Sequence, residues 1–370
     1  MQLAGGARMT RSLIFSVIGA RPHFVKAAPF MEAMKSSSFR VMTVHSGQHY
    51  DPNMSDIFFR ELGMPTPDVN LGVGSGSHAQ QTAQVLIGIE KLLHEHKPAA
   101  VVVYGDTNTT LGAALAAAKE YVPIIHIEAG VRCGNRRMPE EINRPLIDNM
   151  SSFLACPSAL AVENLCKEGV TGRIENVGDF MYDTFVKAQT AAADASFNLG
   201  AYGVTEGEYM LATLHREETT ASADTLQRVL DTLGSLDHPV LLPMHPRTRA
   251  CLTAASIPLD RSDGLKILEP VGYIEMVNLL TRARLVLTDS GGLQKESFWA
   301  GVPCVTLMNE TTWTEIIDVG WSVLTGLSPE RIHAAVAKFE QSAPPALSDR
   351  TSLYGPTGSA QRLVESLGWR

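Results

Sequence analysis

Asp289-Ser-Gly-Gly292, with Gln294 and Glu296 just behind it, is the most chemically pointed segment of the chain. A short polar residue followed by two glycines at the head of a helix leaves backbone amides free to meet an oxyanion. Ser290, Gly291 and Gly292 are therefore candidate ligands for a phosphate or diphosphate. Gln294 and Glu296 stand at the helix entrance, where Glu296 could accept sugar or ribose hydroxyls. Two carboxylates form a second concentration. Asp106 and Glu128 each follow a short apolar run, in Tyr104-Gly-Asp-Thr-Asn108 and His126-Ile-Glu-Ala-Gly130. Carboxylates so placed suit general acid–base work. Asp106 could equally cap the helix that follows it. Glu128 is harder to read as structural, because it ends the run Pro-Ile-Ile-His-Ile and is followed by Ala-Gly, a pattern of tight packing against something polar. Gly19-Ala-Arg-Pro22, with Lys26 beyond, reads either as an anion site at a helix start, with Arg21 and Lys26 adding charge, or as a plain strand-to-helix turn. Glu140 and Glu141 follow Pro139, and spacing alone favours ordinary complementarity to a helix dipole. His215 and His245 each end an apolar run, as proton shuttles or as hydrogen-bonded edge residues.

These residues need elements to hold them. Short apolar runs alternate with amphipathic stretches throughout. The first half offers strands at Ser12–Ile18, Arg40–His45, Ala99–Tyr104, Pro123–Ile127 and Arg173–Val177, with helices such as His78–His96 and Thr109–Tyr121. The second half repeats the rhythm with strands at Tyr209–Leu214, Pro239–Met244, Leu265–Leu268, Arg284–Thr288 and Pro303–Leu307. A βαβ rhythm implies parallel sheets covered on both faces. The expectation is an α/β chain of two Rossmann-like doubly wound domains facing a cleft. The first spans 1–180 together with a C-terminal helix at about 355–370, and the second spans 181–354. Ligands of such sheets sit beyond the carboxyl ends of the strands, where the residues above fall.

Composition narrows the class. The chain has 370 residues, of which 45% are hydrophobic and 19% charged, so it can bury sizeable cores and is not a disordered polymer. A net charge of −8 with no basic stripe argues against coating nucleic acid or an anionic membrane. No stretch approaches the ~20 continuous apolar residues of a membrane span. The run Ser-Leu-Ile-Phe-Ser-Val-Ile ends in Gly-Ala-Arg-Pro-His without a clear cleavage site and reads as a first core strand rather than a leader. Five widely spaced cysteines without a Cys-x-x-Cys pair argue against disulfides and zinc ribbons and fit a reducing cytoplasm. Gly72-x-Gly74-x-Gly76 follows no convincing strand and reads as a loop. His94-x-His96 does not converge on a metal, and no metal site is expected.

Taken in order, Gly19-Ala-Arg-Pro22, Gly47-Gln-His49, Gly105-Asp-Thr107, His126-Ile-Glu-Ala-Gly130, Pro139-Glu-Glu141 with Asn143-Arg144, His215-Arg-Glu217 and Asp289-Ser-Gly-Gly292 resemble the non-hydrolysing UDP-N-acetylglucosamine 2-epimerases. The resemblance implies a glycosyltransferase B-type architecture, a UDP-sugar substrate held between the domains, a homodimer, no cofactor and a role in supplying surface polysaccharide. It implies that Asp106, Glu128 and Glu140 are acid–base carboxylates and His215 a catalytic histidine. Arg21, Lys26, His245, Ser290, Gly291, Gly292, Gln294 and Glu296 would serve substrate or UDP binding. Further segments, including Arg137-Met-Pro-Glu-Glu-Ile-Asn-Arg and Pro270-Val-Gly-Tyr-Ile-Glu-Met, are especially similar to the branch acting on UDP-2,3-diacetamido-2,3-dideoxyglucuronate. Three positions depart from the family pattern after the strand Pro303–Leu307: Met308, Asn309 and Thr312 replace charged residues, ahead of Trp313 and Glu315. His23 likewise stands where Glu or Gln usually follows Arg-Pro.

Overall fold

A computed structural model describes residues 12–47, 59–194, 197–220, 222–259, 261, 264–346 and 351–369. Gln48 and His49 of the Gly47 motif lie outside these residues. Two all-parallel sheets carry the fold. The first contains β1 (Leu13–Ile18), β2 (Arg40–His45), β3 (Val69–Asn70), β4 (Ala100–Tyr104), β5 (Ile124–Ile127), β6 (Phe153–Cys156) and β7 (Arg173–Asn176), in the order β3-β2-β1-β4-β5-β6-β7. The second contains β8 (Met210–Thr213), β9 (Val240–Pro243), β10 (Leu265–Leu268), β11 (Leu285–Thr288), β12 (Cys304–Thr306) and β13 (Ser322–Leu324), in the order β10-β9-β8-β11-β12-β13. Both orders are doubly wound, as the alternating runs predict. β3, β6 and β13 were not legible as strands. They are short, and β3 and β13 are edges with little continuous apolar signal.

The helices of the first sheet are α1 (Arg21–Met34), α2 (His78–His96), α3 (Asn108–Lys119), α4 (Pro139–Met150) and α5 (Ala159–Glu168), followed by α6 (Phe180–Asp194). Those of the second are α7 (Ala223–Gly234), α8 (Pro246–Ala254), α9 (Tyr273–Thr281), α10 (Gly291–Ala300), α11 (Thr314–Asp318) and α12 (Pro329–Gln341). Their starts are written in side chains: Ser77, Thr107, Ser158, Ser222, Ser290 and Ser328 each accept a backbone N–H of the first turn. Thr107, not Asp106, therefore caps α3, which removes the capping explanation for Asp106.

The described residues divide into two compact units. One comprises those of Met1–Arg132, Arg136–Thr184 and Gly355–Arg370, the other those of Cys133–Asn135 and Phe185–Tyr354. In the first, Phe15, Val17, Val101 and Val103 pack between strands and the α2–α3 face of Val85, Ile89, Ala113 and Ala117. In the second, Ala212, Leu242 and Leu287 pack against Leu226, Leu230 and Leu233 of α7 and Ile332 and Val336 of α12. The last helix, α13 (Ser359–Ser366), belongs to the first unit. Asp183 accepts the backbone N–H groups of Gly358 (2.6 Å) and Ala360 (3.2 Å) at its start. Beyond its end the Trp369 ring lies 5.1 Å from Phe39, and the Ser37 hydroxyl donates to the Trp369 carbonyl.

In each sheet the strand order reverses once, at β1/β4 and at β8/β11. Doubly wound sheets bind ligands at such reversals, beyond the carboxyl ends of the strands. No described helix is long and apolar enough to cross a membrane.

Candidate active site

In the first unit, Gly19, Gly105 and Glu128 follow directly on β1, β4 and β5. Gly19 is a packing glycine: a Cβ there would lie 2.1 Å from Ser46 Oγ and 2.6 Å from Thr109 Oγ1. Next to it, His23 is buried. Its Nδ1 accepts the Gly19 N–H (3.0 Å), which leaves the ring proton on Nε2 to face Thr107 Oγ1 at 3.2 Å. The departure at His23 thus ties the β1 turn to the β4 turn. Arg21 begins α1 and is half-buried.

Glu128 holds a left-handed backbone conformation, φ +71°, which is uncommon for a residue with a long side chain and costs on the order of 1–3 kcal/mol. Its carboxylate meets the Lys26 ammonium at 2.6 Å, with both side chains almost wholly buried. These two head groups lie over Gly105, where a Cβ would come within 3.3 Å of Lys26 Nζ and 3.6 Å of Glu128 Oε1. Asp106 is the next residue. Its Oδ2 accepts both Nε (2.9 Å) and Nη2 (2.7 Å) of Arg144, and its backbone carbonyl accepts from Asn143 (2.8 Å). Arg144 also donates through Nη1 to Glu141 at 2.5 Å. Burial opposes the Arg144 charge, but the carboxylates of Asp106 and Glu141 outweigh it and hold the guanidinium above its usual range. Glu140, four residues before Arg144 and so on the same helical face, is half-buried and has no side-chain partner among the described residues. Of the acidic pair, Glu141 is committed to Arg144, whereas Glu140 has no such commitment among the described residues. The structure therefore gathers Lys26, Asp106, Glu128 and Arg144 beyond the carboxyl ends of the central strands β4 and β5, with Glu140 on the Arg144 face of the adjoining helix.

A second layer lies beneath. His126 and Asp148 are fully buried. His126 Nδ1 meets Asp148 Oδ1 at 2.7 Å, and Nε2 meets the Gly105 carbonyl at 2.7 Å. Both ring nitrogens are thus engaged by oxygen atoms, which fixes the plane of the ring. Asp148 Oδ2 accepts from Arg132 (2.7 Å) and the Gly130 amide (3.3 Å), and Arg132 reaches on to Glu168. Burial alone would raise the Asp148 carboxyl, yet the His126 hydrogen bond and the His126 and Arg132 charges hold it below its usual range. The backbone on either side of Asp106 and Glu128 is thereby fixed to α4. Sequence reading did not single out Arg144, Asp148 and His126 as site residues. Their signal was there: Glu140, Arg144 and Asp148 recur every four residues along one helix.

In the second unit, His215 and Asp289 follow β8 and β11. Asp289 is fully buried and accepts the backbone N–H groups of His215 (2.9 Å) and Arg216 (2.9 Å) and the Thr219 hydroxyl (2.9 Å). His215 Nδ1 lies 3.4 Å from Asp289 Oδ1, its ring is 39% exposed, and the His245 ring is 5.8 Å away. Asp289 thus orients the histidine and its loop. Ser290 caps α10, so Gly291 and Gly292 open the helix. Glu296, at the next turn, is held by the Tyr273 hydroxyl at 2.7 Å. Gln294 stands at the entrance but faces inward: its amide nitrogen reaches the Ser290 carbonyl (3.3 Å) and the Met308 sulfur (3.7 Å), and its oxygen accepts from Thr311 (2.7 Å). It braces the Met308–Thr312 loop against α10. Among the described residues no group of three or more His, Cys, Asp or Glu side chains could hold a metal ion.

A family model described as UDP-N-acetylglucosamine 2-epimerase matches residues 31–368. The UDP-N-acetylglucosamine 2-epimerase homolog of Methanococcus maripaludis is 42% identical over 357 residues, covering 96% of this chain and 99% of that protein. The UDP-2,3-diacetamido-2,3-dideoxy-D-glucuronate 2-epimerase of Pseudomonas aeruginosa is 43% identical over 361 residues, again covering 96% and 99%. Among solved structures, Methanocaldococcus jannaschii UDP-GlcNAc 2-epimerase in complex with UDP-GlcNAc and UDP matches with a TM-score of 0.89 at 36% identity, covering 97% of this chain and 100% of that one. With two Rossmann-like units of the kind found in glycosyltransferase B-type folds, this isomerase belongs to the UDP-N-acetylglucosamine 2-epimerase family.

Proposed function

We propose that the chain is a non-hydrolysing 2-epimerase that interconverts UDP-N-acetylglucosamine and UDP-N-acetylmannosamine by eliminating and re-adding UDP. The observation that carries this reading is the gathering of Asp106 and Glu128 at adjacent strand ends, with Glu140 uncommitted on the neighbouring helix. The hydrogen on carbon 2 of the sugar is a very weak acid with no adjacent carbonyl. Removing it alone would leave an unstabilised carbanion. Loss of UDP from carbon 1 solves the problem: a carboxylate takes the carbon 2 proton, the electron pair becomes the C1–C2 double bond, and the C1–O pair leaves on the diphosphate. The acetamidoglucal is then protonated from the other face, and UDP returns to carbon 1.

In this reading Glu128 and Glu140 are the proton-transfer carboxylates, and Asp106, clamped by Arg144, joins them in the acid–base set. Arg21, His215, His245, Ser290, Gly291 and Gly292 serve the nucleotide and its departing charge, and Glu296 serves the ribose. A helix start and nearby cations stabilise a leaving diphosphate by meeting its charge with fixed donors. The homodimer implied by the family is part of the proposal and is checked by light scattering on the purified chain. A second substrate has a specific observation in its favour: the 43% identity to the Pseudomonas aeruginosa diacetamidoglucuronate enzyme.

Both nucleotides, each incubated with the protein in deuterated water, separate the possibilities by NMR. The expected result is deuterium at carbon 2 and the epimeric nucleotide sugar, without an acceptor and without net release of UDP. Free sugar plus UDP would show a hydrolase, and binding without exchange a non-catalytic protein. The nucleotide that exchanges faster names the substrate. Gly291→Ala gives a further expectation. The residue is helical, and an added Cβ would meet only Trp313 Nε1, at 3.4 Å. Alanine suits a helix better than glycine by up to about 1 kcal/mol. The fold should keep its melting temperature, while a methyl group at the anion site lowers UDP affinity about tenfold by calorimetry.

A further inference from the structure

We infer that the indole N–H of Trp313 is a hydrogen-bond donor to the diphosphate of the substrate, joining the amides at the start of α10. The inference rests on the reading that the Gly291 turn takes a diphosphate.

Trp313 is 6% exposed, and among the described residues its Nε1 has no hydrogen-bond partner. A buried indole N–H normally finds an acceptor, because leaving one unmade forfeits its hydration without return. This donor faces the open side of Gly291. Gly291 itself is not demanded by backbone conformation, since its φ is not positive, nor by crowding from several neighbours. The space beside it is thus bounded by one unpaired donor and the first amides of a ten-residue helix.

The indole is held in place. Its backbone N–H donates to Thr311 Oγ1 at 3.2 Å, and Thr311 is bonded to Gln294 of α10. Its ring packs edge-on against Tyr354, with centroids 6.0 Å apart. Lys295, fully buried, places its ammonium 3.8 Å from the ring centroid. A cation over the ring draws electron density from it and makes the N–H a stronger donor. The ligand chemistry follows from this lining. Indole N–H and helix amides only donate, and the adjacent carboxylate, Asp289, is turned to His215, Arg216 and Thr219. Donors beside Gly291 suit an oxyanion.

Calorimetry with UDP and with uridine, on the wild type and on Trp313→Phe, tests this. Phenylalanine keeps a ring for Lys295 and Tyr354 but removes the donor. Loss of a hydrogen bond to an anion should weaken UDP about tenfold or more and leave uridine unchanged. Equal UDP affinity in the variant overturns the inference, as does equal weakening of UDP and uridine. A wild type that binds no UDP strikes at the diphosphate reading itself, and is told apart by occurring without any substitution. If Trp313→Phe does not fold, the wild type labelled with ¹⁵N-tryptophan answers instead. Its four indole signals are assigned with Trp299→Phe, Trp321→Phe and Trp369→Phe. UDP, and not uridine, should move the Trp313 N–H downfield and slow its exchange with water. An unmoved signal under saturating UDP overturns the inference.

Discussion

Glu128→Gln lowers kcat by about a thousandfold, with KM changed little and the fold kept. General acid–base groups contribute roughly 10²–10⁴ in rate, and Glu128 is the carboxylate whose environment is most specifically built. Its backbone sits at φ +71°, and its side chain is held by Lys26 at 2.6 Å. The glutamine amide retains an oxygen that can accept from Lys26 but cannot take a proton from carbon 2. An equal fall in kcat and kcat/KM would mark an interaction made in the transition state. Deuterium incorporation at carbon 2 should fall in parallel with turnover. Near-normal turnover in this variant removes Glu128 from the mechanism. Full exchange with slow product formation would instead place it in UDP departure or return.

Asp148→Asn has the largest expected effect on stability. Asp148 is fully buried and accepts from His126, Arg132 and Gly130 at once. Neutralising it removes the carboxylate that the buried His126 ring, the Arg132 guanidinium and the Gly130 amide all share, a loss of about 3–5 kcal/mol. For a unit of this size that lowers the melting temperature by roughly 10 °C. The pH dependence has a definite sign. The folded state holds the Asp148 carboxyl below its ordinary value of 3.8, so its contribution is complete above that value. The contribution is lost as pH falls from there through the lower folded value. The wild type should therefore lose its advantage over Asp148→Asn as the solution is acidified below about pH 4, followed by thermal melts across pH 3–7. Parallel melting curves for the two proteins would show that Asp148 is not held as an ionised partner.

Much of this arrangement was readable beforehand because strand ends in doubly wound sheets are where chemistry collects. Asp106, Glu128, His215 and Ser290 stand just beyond β4, β5, β8 and β11 because each ends an apolar run. What escaped notice depends on chain segments far apart. Lys26 and Glu128 are separated by 102 residues, and nothing local pairs them. Asp148 looks in sequence like an ordinary helix-surface residue, and only the packing of α4 against β5 buries it. Gln294 has the right address beside the Gly-Gly turn, but a side chain three residues into a helix can face inward, and here the Met308–Thr312 loop draws it there. Cysteines, too, vary with tertiary context. Cys156 and Cys304 are buried, and burial pushes the Cys304 thiol up to about 11, while Cys166 is exposed.

The docking of α13 on α1 has a bearing on how the protein is made. The N-terminal unit is discontinuous: its sheet is translated early, yet the segment that covers α1 leaves the ribosome only after the whole second unit has emerged. The second unit, contiguous from Phe185 to Tyr354 apart from a three-residue excursion, can condense during synthesis, whereas the first waits with an unfinished surface. That interval is when a nascent chain of this kind has most need of a chaperone.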